Sequence, residues 1–303
     1  MSDIILHHYD VSPYAEKARV MLGFKRLAWK SVVIPIIMPK PDLTCLTGGY
    51  RKTPVLQIGA DVYCDTKTIA RALERVEPKP TLFPANSDAS ERGLSLIGDA
   101  MFMMGVQVFL DAGMMPEEFI EDRKKMFPGS FSIEGVRKLI PAKRDQLRAH
   151  FAAFDAQLSD GRSYLLGNQA SLADFSVYNP IWFLARNPTT AGIAAPYTHL
   201  SAWRERIEAF GHGERSEIAA DEAVAIAKAS KSVTETMVDP AEPNGYRAGD
   251  RISVMPEDYG MDPVVGELVY SDPHEIAIRR TDERVGEVVV HFPRQGYLVF
   301  KAA

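Results

Sequence analysis

The chain has 303 residues, of which 46% are apolar and 25% are charged, and its formal net charge is −5. This length predicts about two domains or slightly more, and the composition excludes a fibrous or an intrinsically disordered protein. A pI near 5.9, with no run rich in Lys and Arg, argues against nucleic acid as a partner.

Cysteine usage and hydropathy indicate a protein of a reducing compartment. Cys45 and Cys64 are too few for a disulfide framework and lack the paired spacing of a zinc site. The N-terminus has no basic segment followed by a long apolar core, and no later stretch reaches the roughly 20 apolar residues of a membrane span. We expect a cytoplasmic protein without a membrane partner, with Cys64 buried in a strand and Cys45 exposed in a loop.

A strand–helix–strand unit is predicted at the start of the chain. The apolar run 4–6 is typical of a buried strand, and Ser12 followed by Pro13 marks the beginning of a helix that continues to Gly23. A second strand is predicted over residues 29–34, and the three prolines that follow it predict a loop.

A hairpin and a further helix complete the first predicted unit. Two β-prone runs within residues 53–64 are separated by a Gly-Ala-Asp turn, which is the spacing of a hairpin. Asp65 and Thr66 then precede an amphipathic helical pattern. The order βαβ–ββα up to residue 82 predicts an α/β domain, and a proline-rich linker follows it.

After residue 82 the sequence pattern is first helical and then β-prone. Residues 87–230 have helical periodicity, most clearly over 133–158, and Ser171 and Asp174 form a capping box at the start of another helix. Residues 244–303 are rich in β-prone runs separated by Gly, Asp and Pro, which predicts a small domain of five strands.

The segment between the first strand and the first helix suggests thiol chemistry. Ser12-Pro13-Tyr14-Ala15 resembles a redox loop in which Ser12 and Ala15 stand where the two thiols would lie. A helix N-terminus stabilises a thiolate through its dipole and its free N–H groups. This loop cannot form its own disulfide, but it can stabilise the thiolate of a ligand. The alternative is that Ser12 serves only as a helix N-cap.

Four features in chain order resemble the glutathione transferase family over about residues 1–230. They are Ser12-Pro13-Tyr14, the run Arg51 to Leu56, the pair Asp65-Thr66 and the box Ser171 to Asp174. The resemblance implies a thioredoxin-like domain over residues 1–82, an all-helical domain over 87–230 and a homodimer. Residues 244–303 lie outside the ordinary two-domain architecture of the family and are expected to form a small, barrel-like β domain.

The resemblance implies that Ser12 is the catalytic residue, whose hydroxyl donates to the thiolate of glutathione as in the serine-type classes. The position of the active hydroxyl in the tyrosine-type classes corresponds to His8. A free thiol has a pKa of about 8.5, so lowering it by about two units makes the nucleophile mostly thiolate at neutral pH. The enzyme would then hold an electrophile beside the sulfur.

The other glutathione contacts implied by the resemblance lie in two short motifs. Thr53-Pro54 matches the cis-proline pair of the family, whose first residue offers its backbone N–H and C=O to the cysteinyl part. Asp65 would face the ammonium of the γ-glutamyl end, and Thr66 would bind its carboxylate.

The glycine carboxylate and the second substrate leave more choice. Lys40, Arg51 and Lys52 are the candidate cations for the glycine carboxylate, and the sequence does not choose among them. No metal site is expected, because the histidines lack a third ligand at metal spacing. A soft apolar cluster could bind the electrophile, although methionines more often fill cores. The pocket candidates are Tyr14, Met101 and Met104, within a cluster that also contains Phe102, Met103, Phe109, Met114 and Met115.

The expected function is a glutathione transferase-like enzyme that directs a glutathione thiolate at a small apolar electrophile. One alternative is a non-catalytic binding protein whose C-terminal β domain contacts a partner. Another is a glutathione-dependent isomerisation, dehalogenation or reduction, which fold analogy cannot separate from conjugation.

Overall fold

The computed structural model describes residues 2–84, 87–110, 116–126 and 132–302. The elements are β1 (Ile4–His8), α1 (Pro13–Phe24), β2 (Ala28–Val33), α2 (Pro41–Thr47), β3 (Val55–Ile58), β4 (Asp61–Cys64), α3 (Thr66–Val76), α4 (Asp88–Leu110), α5 (Glu117–Lys124), α6 (Ile133–Leu158), α7 (Leu172–Ala185), α8 (Pro188–Ala191), α9 (Thr198–Glu208), β5 (Glu214–Glu217), α10 (Ala220–Ala229), β6 (Met237–Val238), β7 (Arg251–Pro256), β8 (Val264–Ser271), β9 (Glu275–Asp282), β10 (Gly286–Pro293) and β11 (Tyr297–Lys301).

The strands form one sheet in the order β11-β7-β8-β9-β10-β4-β3-β1-β2-β5, with β6 added beside β8. In the N-terminal part β1 pairs parallel with β2 and antiparallel with β3, as the thioredoxin-like prediction requires. The predicted fold class is therefore confirmed: an α/β thioredoxin-like region, a helical region and a sheet-rich C-terminal region follow one another.

The C-terminal strands continue the N-terminal sheet. β10 pairs parallel with β4, and Val290 lies opposite Val62. The five strands expected after residue 244 are present as β7 to β11. In the described residues they extend an open sheet whose edges are β11 and β5. The predicted domain limits stay predictions. The sheet contains strands from both sides of the predicted limit at residue 244.

The two faces of the sheet are covered differently. Apolar residues of α1 and α3, such as Met21 and Leu73, share a core with α4, α6, α7 and α9. On the opposite face Leu46 of α2 and Val224 of α10 pack against strands from both ends of the chain, including Val290. The N-terminal sheet therefore lies between the helical region and a second core to which the C-terminal strands contribute.

Two elements differ from the sequence predictions. The proline-rich stretch predicted as a loop contains α2, because Pro41 lies in the first turn, where a missing N–H costs no helical hydrogen bond. Helix was predicted throughout 87–230, yet β5 leaves the helical region and pairs with β2. Gly213, with φ +70°, makes this return possible because a Cβ there would overlap the carbonyl oxygen of Leu27.

The helical region follows its local signals closely. α6 begins at Ile133 and ends at Leu158, as predicted. The capping box of α7 is also confirmed, since the Ser171 N–H donates to the Asp174 carboxylate at 2.9 Å. Trp203 of α9 donates to the same carboxylate at 2.9 Å. Asp174 thus fixes the start of α7 against a neighbouring helix.

α4 is long and apolar enough, by length and composition, to cross a membrane, which the sequence analysis did not anticipate. A single helix of this kind is weak evidence for membrane insertion, because the core helix of a globular protein passes the same test. α4 packs closely on α7: a Cβ at Gly98 would overlap the carbonyl of Ser176, and the Ser95 and Ser176 hydroxyls lie 2.9 Å apart.

Candidate functional site

Ser12 lies at the N-terminus of α1, where the chain leaves β1. Its Oγ accepts the N–H of Ala15 at 3.2 Å, and the residue is only 3% exposed. The hydroxyl therefore acts as an N-cap at the positive end of the helix dipole. This geometry agrees with both roles that the sequence left open for Ser12: a structural cap and a group that stabilises a thiolate.

Tyr9 lies beside Ser12 and was missed by the sequence analysis. Its hydroxyl accepts a hydrogen bond from Arg123 of α5 at 3.3 Å, and its backbone carbonyl accepts the Ser12 N–H at 3.1 Å. Burial raises the pKa of Tyr9, although the charge of Arg123 opposes this shift. The signal was present in the sequence as a tyrosine three residues before Ser12, next to the histidine that was considered instead.

His8, the tyrosine-type alternative, is fully buried. Its Nε2 lies 2.9 Å from Ser31 Oγ, and Nδ1 lies 3.1 Å from Arg19. Burial, followed by the charge of Arg19, lowers the pKa of His8 to about 3, so the imidazole is neutral at pH 7. His8 therefore has a structural hydrogen-bonding role inside the fold.

Thr53 and Pro54 are joined by a cis peptide bond just before β3. Thr53 Oγ1 accepts from the ammonium of Lys40 at 3.2 Å. Within the described part of the chain, the backbone N–H and C=O of Thr53 have no hydrogen-bond partner. A ligand with a peptide group could satisfy both.

Asp65 lies at the start of α3 with a positive φ of 76° and an extended ψ of 142°. One carboxylate oxygen accepts the N–H of Lys67 at 2.9 Å and the other accepts the hydroxyl of Tyr297, from β11, at 3.2 Å. Burial raises the pKa of Asp65, but the charge and N–H of Lys67, together with the charges of Lys52 and Lys17, outweigh it and hold the pKa below its usual range. Asp65 is therefore an anion, and Thr66 beside it is buried.

A second buried ion lies on α1 close to Asp65. Lys17 is 2% exposed, and burial lowers its pKa to about 8, against the opposing charges of Asp99 and Asp65. Sequence patterns gave no reason to single out Lys17 or Asp99, since the helix periodicity alone does not show which side chains meet across the cleft.

Each of the three candidate cations already has partners within the protein. Lys40 is 4% exposed, and burial, followed by the charge of Arg123, lowers its pKa to about 8. Arg51 forms ion pairs with Asp122 of α5 at 3.0 Å and with Asp262 at 3.8 Å.

Lys52 is paired from the C-terminal region. Its ammonium lies 2.5 Å from Asp258 Oδ1 and 4.1 Å from the ring centroid of Tyr259. Asp258 and Tyr259 belong to the residues 257–263 that join β7 to β8, here called the 257–263 loop. The structure thus brings a distant loop to one of the sequence-predicted cations, which no local pattern could have indicated.

The Tyr259 side chain is partly buried, and its ring contacts the Lys52 ammonium. Burial raises the pKa of Tyr259, and the negative charges of Asp258, Asp99 and Asp65 raise it further. The loop is also tied to the helical region, because the Gly260 N–H donates to the Met126 carbonyl at 2.7 Å. The 257–263 loop therefore covers the side of the site that the resemblance assigns to the glycine end of glutathione.

The predicted apolar pocket is only partly assembled. Tyr14 donates to Asp99 at 2.9 Å and packs edge-on against Phe102, with ring centroids 4.8 Å apart. Met104 is partly buried against the helical core. Met101 is fully buried, so it offers no surface to a substrate and is removed from the pocket. Met114 and Met115 lie outside the described residues.

A cavity of about 50 Å³ lies elsewhere, where α3 and α4 meet the C-terminal strands. Its lining includes Lys67, Arg71, Arg92 and His274, but neither Ser12 nor any of the three candidate cations. The candidate thiol site is therefore a different place, and it is the one marked by the motifs at Ser12, Thr53-Pro54 and Asp65-Thr66.

The remaining sequence expectations concern cysteines and metals. Cys64 is fully buried in β4, as expected, whereas Cys45 is 5% exposed on α2, so the expectation of an exposed Cys45 is wrong. Burial raises the pKa of Cys45 and makes its thiol less reactive. Over the ranges that the structure describes, no group of three or more His, Cys, Asp or Glu could hold a metal ion.

Comparisons with known proteins match most of this architecture. Residues 6–81 match the family described as glutathione S-transferase, N-terminal domain, and residues 137–206 match glutathione S-transferase, C-terminal domain. The chain is similar to the crystal structure of a GST-like protein from Pseudomonas syringae, with 41% identity, 100% coverage of both chains and a TM-score of 0.80. That match includes the C-terminal region.

Two further relatives share a smaller part of the chain. FtsZ-localized protein A from Caulobacter vibrioides is 26% identical over 177 residues, which cover 56% of this chain and 72% of the relative. The structure of the beta-etherase LigF from Sphingobium sp. strain SYK-6 is 20% identical, with 69% and 96% coverage and a TM-score of 0.52, which indicates a shared fold.

Proposed function

Since the chain belongs to the glutathione S-transferase family, we propose that it binds a glutathione-type thiol at the N-terminus of α1 and holds the sulfur there as a thiolate. The observation that carries this proposal is the buried Ser12 hydroxyl, which lies at the positive end of α1. The Asp65 carboxylate at the start of α3 supports it, as do the backbone N–H and C=O of Thr53 just before β3, which have no partner among the described residues.

The proposed chemistry uses few groups. The Ser12 hydroxyl and the dipole of α1 would stabilise negative charge on the ligand sulfur and so lower its pKa. The thiolate would attack an electrophilic carbon of a small apolar substrate, and a carbon–sulfur bond would form. The displaced group leaves with the bonding electron pair, or, in an addition, the adjacent carbanion takes a proton from water.

The ends of the ligand would be bound by the two motifs that precede and follow the hairpin. Asp65 would accept from the γ-glutamyl ammonium, and the Thr53 backbone would pair with the cysteinyl peptide group. Tyr14 and Met104 are the remaining described members of the proposed apolar pocket. We further propose a cytoplasmic homodimer, on the basis of the family alone.

The test is calorimetric titration of glutathione into wild type and Ser12→Ala, combined with ultraviolet detection of the thiolate across pH. Wild type should hold bound glutathione as thiolate at neutral pH, while Ser12→Ala binds it with the sulfur protonated. Ser132→Ala is the matched control, because Ser132 caps α6 in the same way, with its Oγ 3.1 Å from the Gly135 N–H. A thiolate that persists in Ser12→Ala would refute the role of Ser12.

A second candidate function is protein binding without catalysis. It is favoured by the similarity to a protein whose name records localisation to FtsZ and by the 257–263 loop, which pairs with Lys52. Co-sedimentation with assembled FtsZ would test it. Binding to FtsZ by a wild-type chain that takes up no thiol would favour this second function over the first.

A further inference from the structure

Two arginines from different helices converge on one imidazole nitrogen at the cavity between α3, α4 and the C-terminal strands. Arg71 of α3 and Arg92 of α4 each place a guanidinium nitrogen close to Nδ1 of His274, at 3.0 Å and 2.7 Å. Among the described residues, neither guanidinium group lies within 4.0 Å of a carboxylate. Two positive charges therefore meet at one place without a carboxylate of the chain to neutralise them.

The imidazole of His274 cannot satisfy both arginines. Because guanidinium groups only donate, Nδ1 of His274 is the acceptor, and an imidazole nitrogen offers a single lone pair. Burial, followed by the charge of Arg71, lowers the pKa of His274, so the ring is neutral at pH 7. The ring thus supplies one acceptor position to two cationic donors, and it supplies no negative charge.

Arg71 and His274 are held in place by the surrounding fold. The guanidinium carbon of Arg71 lies 5.1 Å from the ring centroid of Phe83, which is a cation–π contact. The His274 N–H donates to Asp272 Oδ1 at 2.7 Å, and the His274 carbonyl accepts the Arg294 N–H at 2.9 Å. These bonds fix the turn between β8 and β9, so the imidazole is presented to α3 and α4 by the C-terminal sheet.

The cavity has the size of a small oxyanion group. Its volume is about 50 Å³, whereas one water molecule needs about 10–15 Å³. Arg92 and Gln295 of its lining are exposed, so the cavity opens to solvent, and the Gln295 amide is a further hydrogen-bond donor. A group of several oxygen atoms can therefore enter and meet donors on more than one side.

Two carboxyl groups also line the cavity and limit the charge that a ligand can carry. Asp88 is exposed in the first turn of α4. Glu91 is buried, and its carboxyl accepts the hydroxyl of Ser87. Burial raises the pKa of Glu91 to about 7, against the hydrogen bond from Ser87, so this carboxyl is partly protonated at neutral pH. The three basic side chains of the lining therefore outweigh its two acids.

From this convergence we infer that the cavity is an oxyanion site, in which Arg71 and Arg92 bind the phosphate group of a phosphate monoester. A tetrahedral phosphate has enough oxygen atoms to accept from both guanidinium groups at once, whereas a planar carboxylate has only two. The same group occurs in small soluble ligands and in the headgroup of phosphatidic acid. Neither Ser12 nor Asp65 belongs to the lining, so phosphate binding here is independent of the proposed thiol binding.

The experiment is calorimetric titration of inorganic phosphate, glycerol phosphate and acetate into the full chain at constant ionic strength. Wild type should bind both phosphates, and acetate at least tenfold more weakly. Arg71→Gln and Arg92→Gln should each weaken phosphate binding by about tenfold, because each removes charge-assisted hydrogen bonds to the oxyanion. Sedimentation with phosphatidylcholine vesicles that contain phosphatidic acid tests the lipid source of the same group.

Two controls separate the site from net charge and from folding. Arg137→Gln combined with Arg148→Gln removes two exposed charges of α6 outside the lining, and it should leave phosphate binding unchanged. The double variant Arg71→Gln with Arg92→Gln changes the net charge equally but should lose binding. Arg71→Lys keeps the charge and loses the planar fork, so its phosphate affinity should lie between those of wild type and Arg71→Gln.

The outcomes distinguish the sources of the phosphate group. Binding of glycerol phosphate that is lost in the double variant of the cavity supports a soluble ligand. Sedimentation with the vesicles that is lost in the same variant, without binding of glycerol phosphate, supports a lipid headgroup at the same site. If wild type binds no form of phosphate, if acetate binds as tightly as phosphate, or if the double variant of the cavity keeps the wild-type affinity, the oxyanion site is refuted.

Discussion

The N-terminal sheet meets its two neighbours by different physical means. Towards the helical region, α1 and α3 present apolar side chains such as Leu73 to a shared core. Towards the C-terminal region, β4 adds main-chain hydrogen bonds to β10, and buried ions accompany them: His291 lies 3.3 Å from Asp61 and 2.7 Å from Glu275. The first contact is non-directional, whereas the second fixes one strand register.

This difference bears on the site. Ser12, at the end of β1, is positioned by its own helix, and its cap needs no distant partner. Lys52 and Asp65 instead receive Asp258 and Tyr297 from the C-terminal region. The attachment of the C-terminal strands to β4 therefore determines whether the 257–263 loop reaches the cleft.

The largest expected loss of stability comes from breaking the buried cluster of His291, Asp61 and Glu275. His291→Ala leaves the carboxylates of Asp61 and Glu275 buried without the imidazole that hydrogen-bonds to both, so we expect a loss of about 3–5 kcal/mol in the free energy of unfolding. Urea denaturation measures it. The control is Arg279→Ala, which removes a half-exposed ion pair with Glu267 and should cost less than about 1 kcal/mol. Equal losses in the two variants would contradict the importance of the buried ions.

A somewhat smaller effect is expected at the apolar contact. Leu73 is fully buried on α3, and Leu73→Ala should cost about 3 kcal/mol through lost burial and a residual cavity. The loss should be the same from pH 5 to pH 9, because no titratable group is removed. A loss that changed strongly with pH would show that the helical contact is also controlled by charge.

The pH dependence of stability distinguishes the two contacts further. Burial lowers the pKa of His291, but hydrogen bonds and the charges of Asp61 and Glu275 outweigh it, so its folded pKa lies above the usual value of about 6.5. The stability from His291 is therefore complete below about pH 6.5 and is lost as pH rises through the folded pKa. Urea titrations of wild type should show this loss, and His291→Gln should lack it.

The carboxylates of Asp61 and Glu275 give the opposite dependence of stability on pH. Burial raises the pKa of Asp61 and of Glu275, but their hydrogen bonds to His291 outweigh it, and both values lie below the usual ones. Their contribution is present above about pH 4 and is lost as pH falls through the folded values. A wild-type stability that stays flat across both limits would show that the buried ions do not titrate as a unit.

The smallest effect concerns the hydroxyl that reaches Asp65. Tyr297→Phe removes hydrogen bonds to Asp65 and Tyr50, and we expect a loss of about 1 kcal/mol in the free energy of unfolding. Tyr246→Phe is the matched control, since its hydroxyl donates to the Val299 carbonyl on the same strand, away from Asp65. The Tyr297 variant alone should alter binding of glutathione, as measured by calorimetry.

Much of the fold could be predicted because its signals are local. The bounds of α6, the capping box of Ser171 and Asp174 and the cap at Ser12 each depend on residues three or four positions apart. The five C-terminal strands were visible for the same reason, since alternation and turn residues are properties of short segments. α2 was missed because its start coincides with a proline-rich stretch that also suits a loop.

The residues of the candidate site can be divided in the same way, into those that local sequence sets and those that tertiary structure brings together. The amino-acid sequence by itself determined the residues at the start of α1, before β3 and at the start of α3, because each is set by a local cap or turn. The tertiary structure decided that β10 pairs with β4 and that Asp258 meets Lys52, 206 positions away in the chain. Strand pairing and ion pairing over such separations depend on which surfaces the folded chain brings together, and no short segment carries that information.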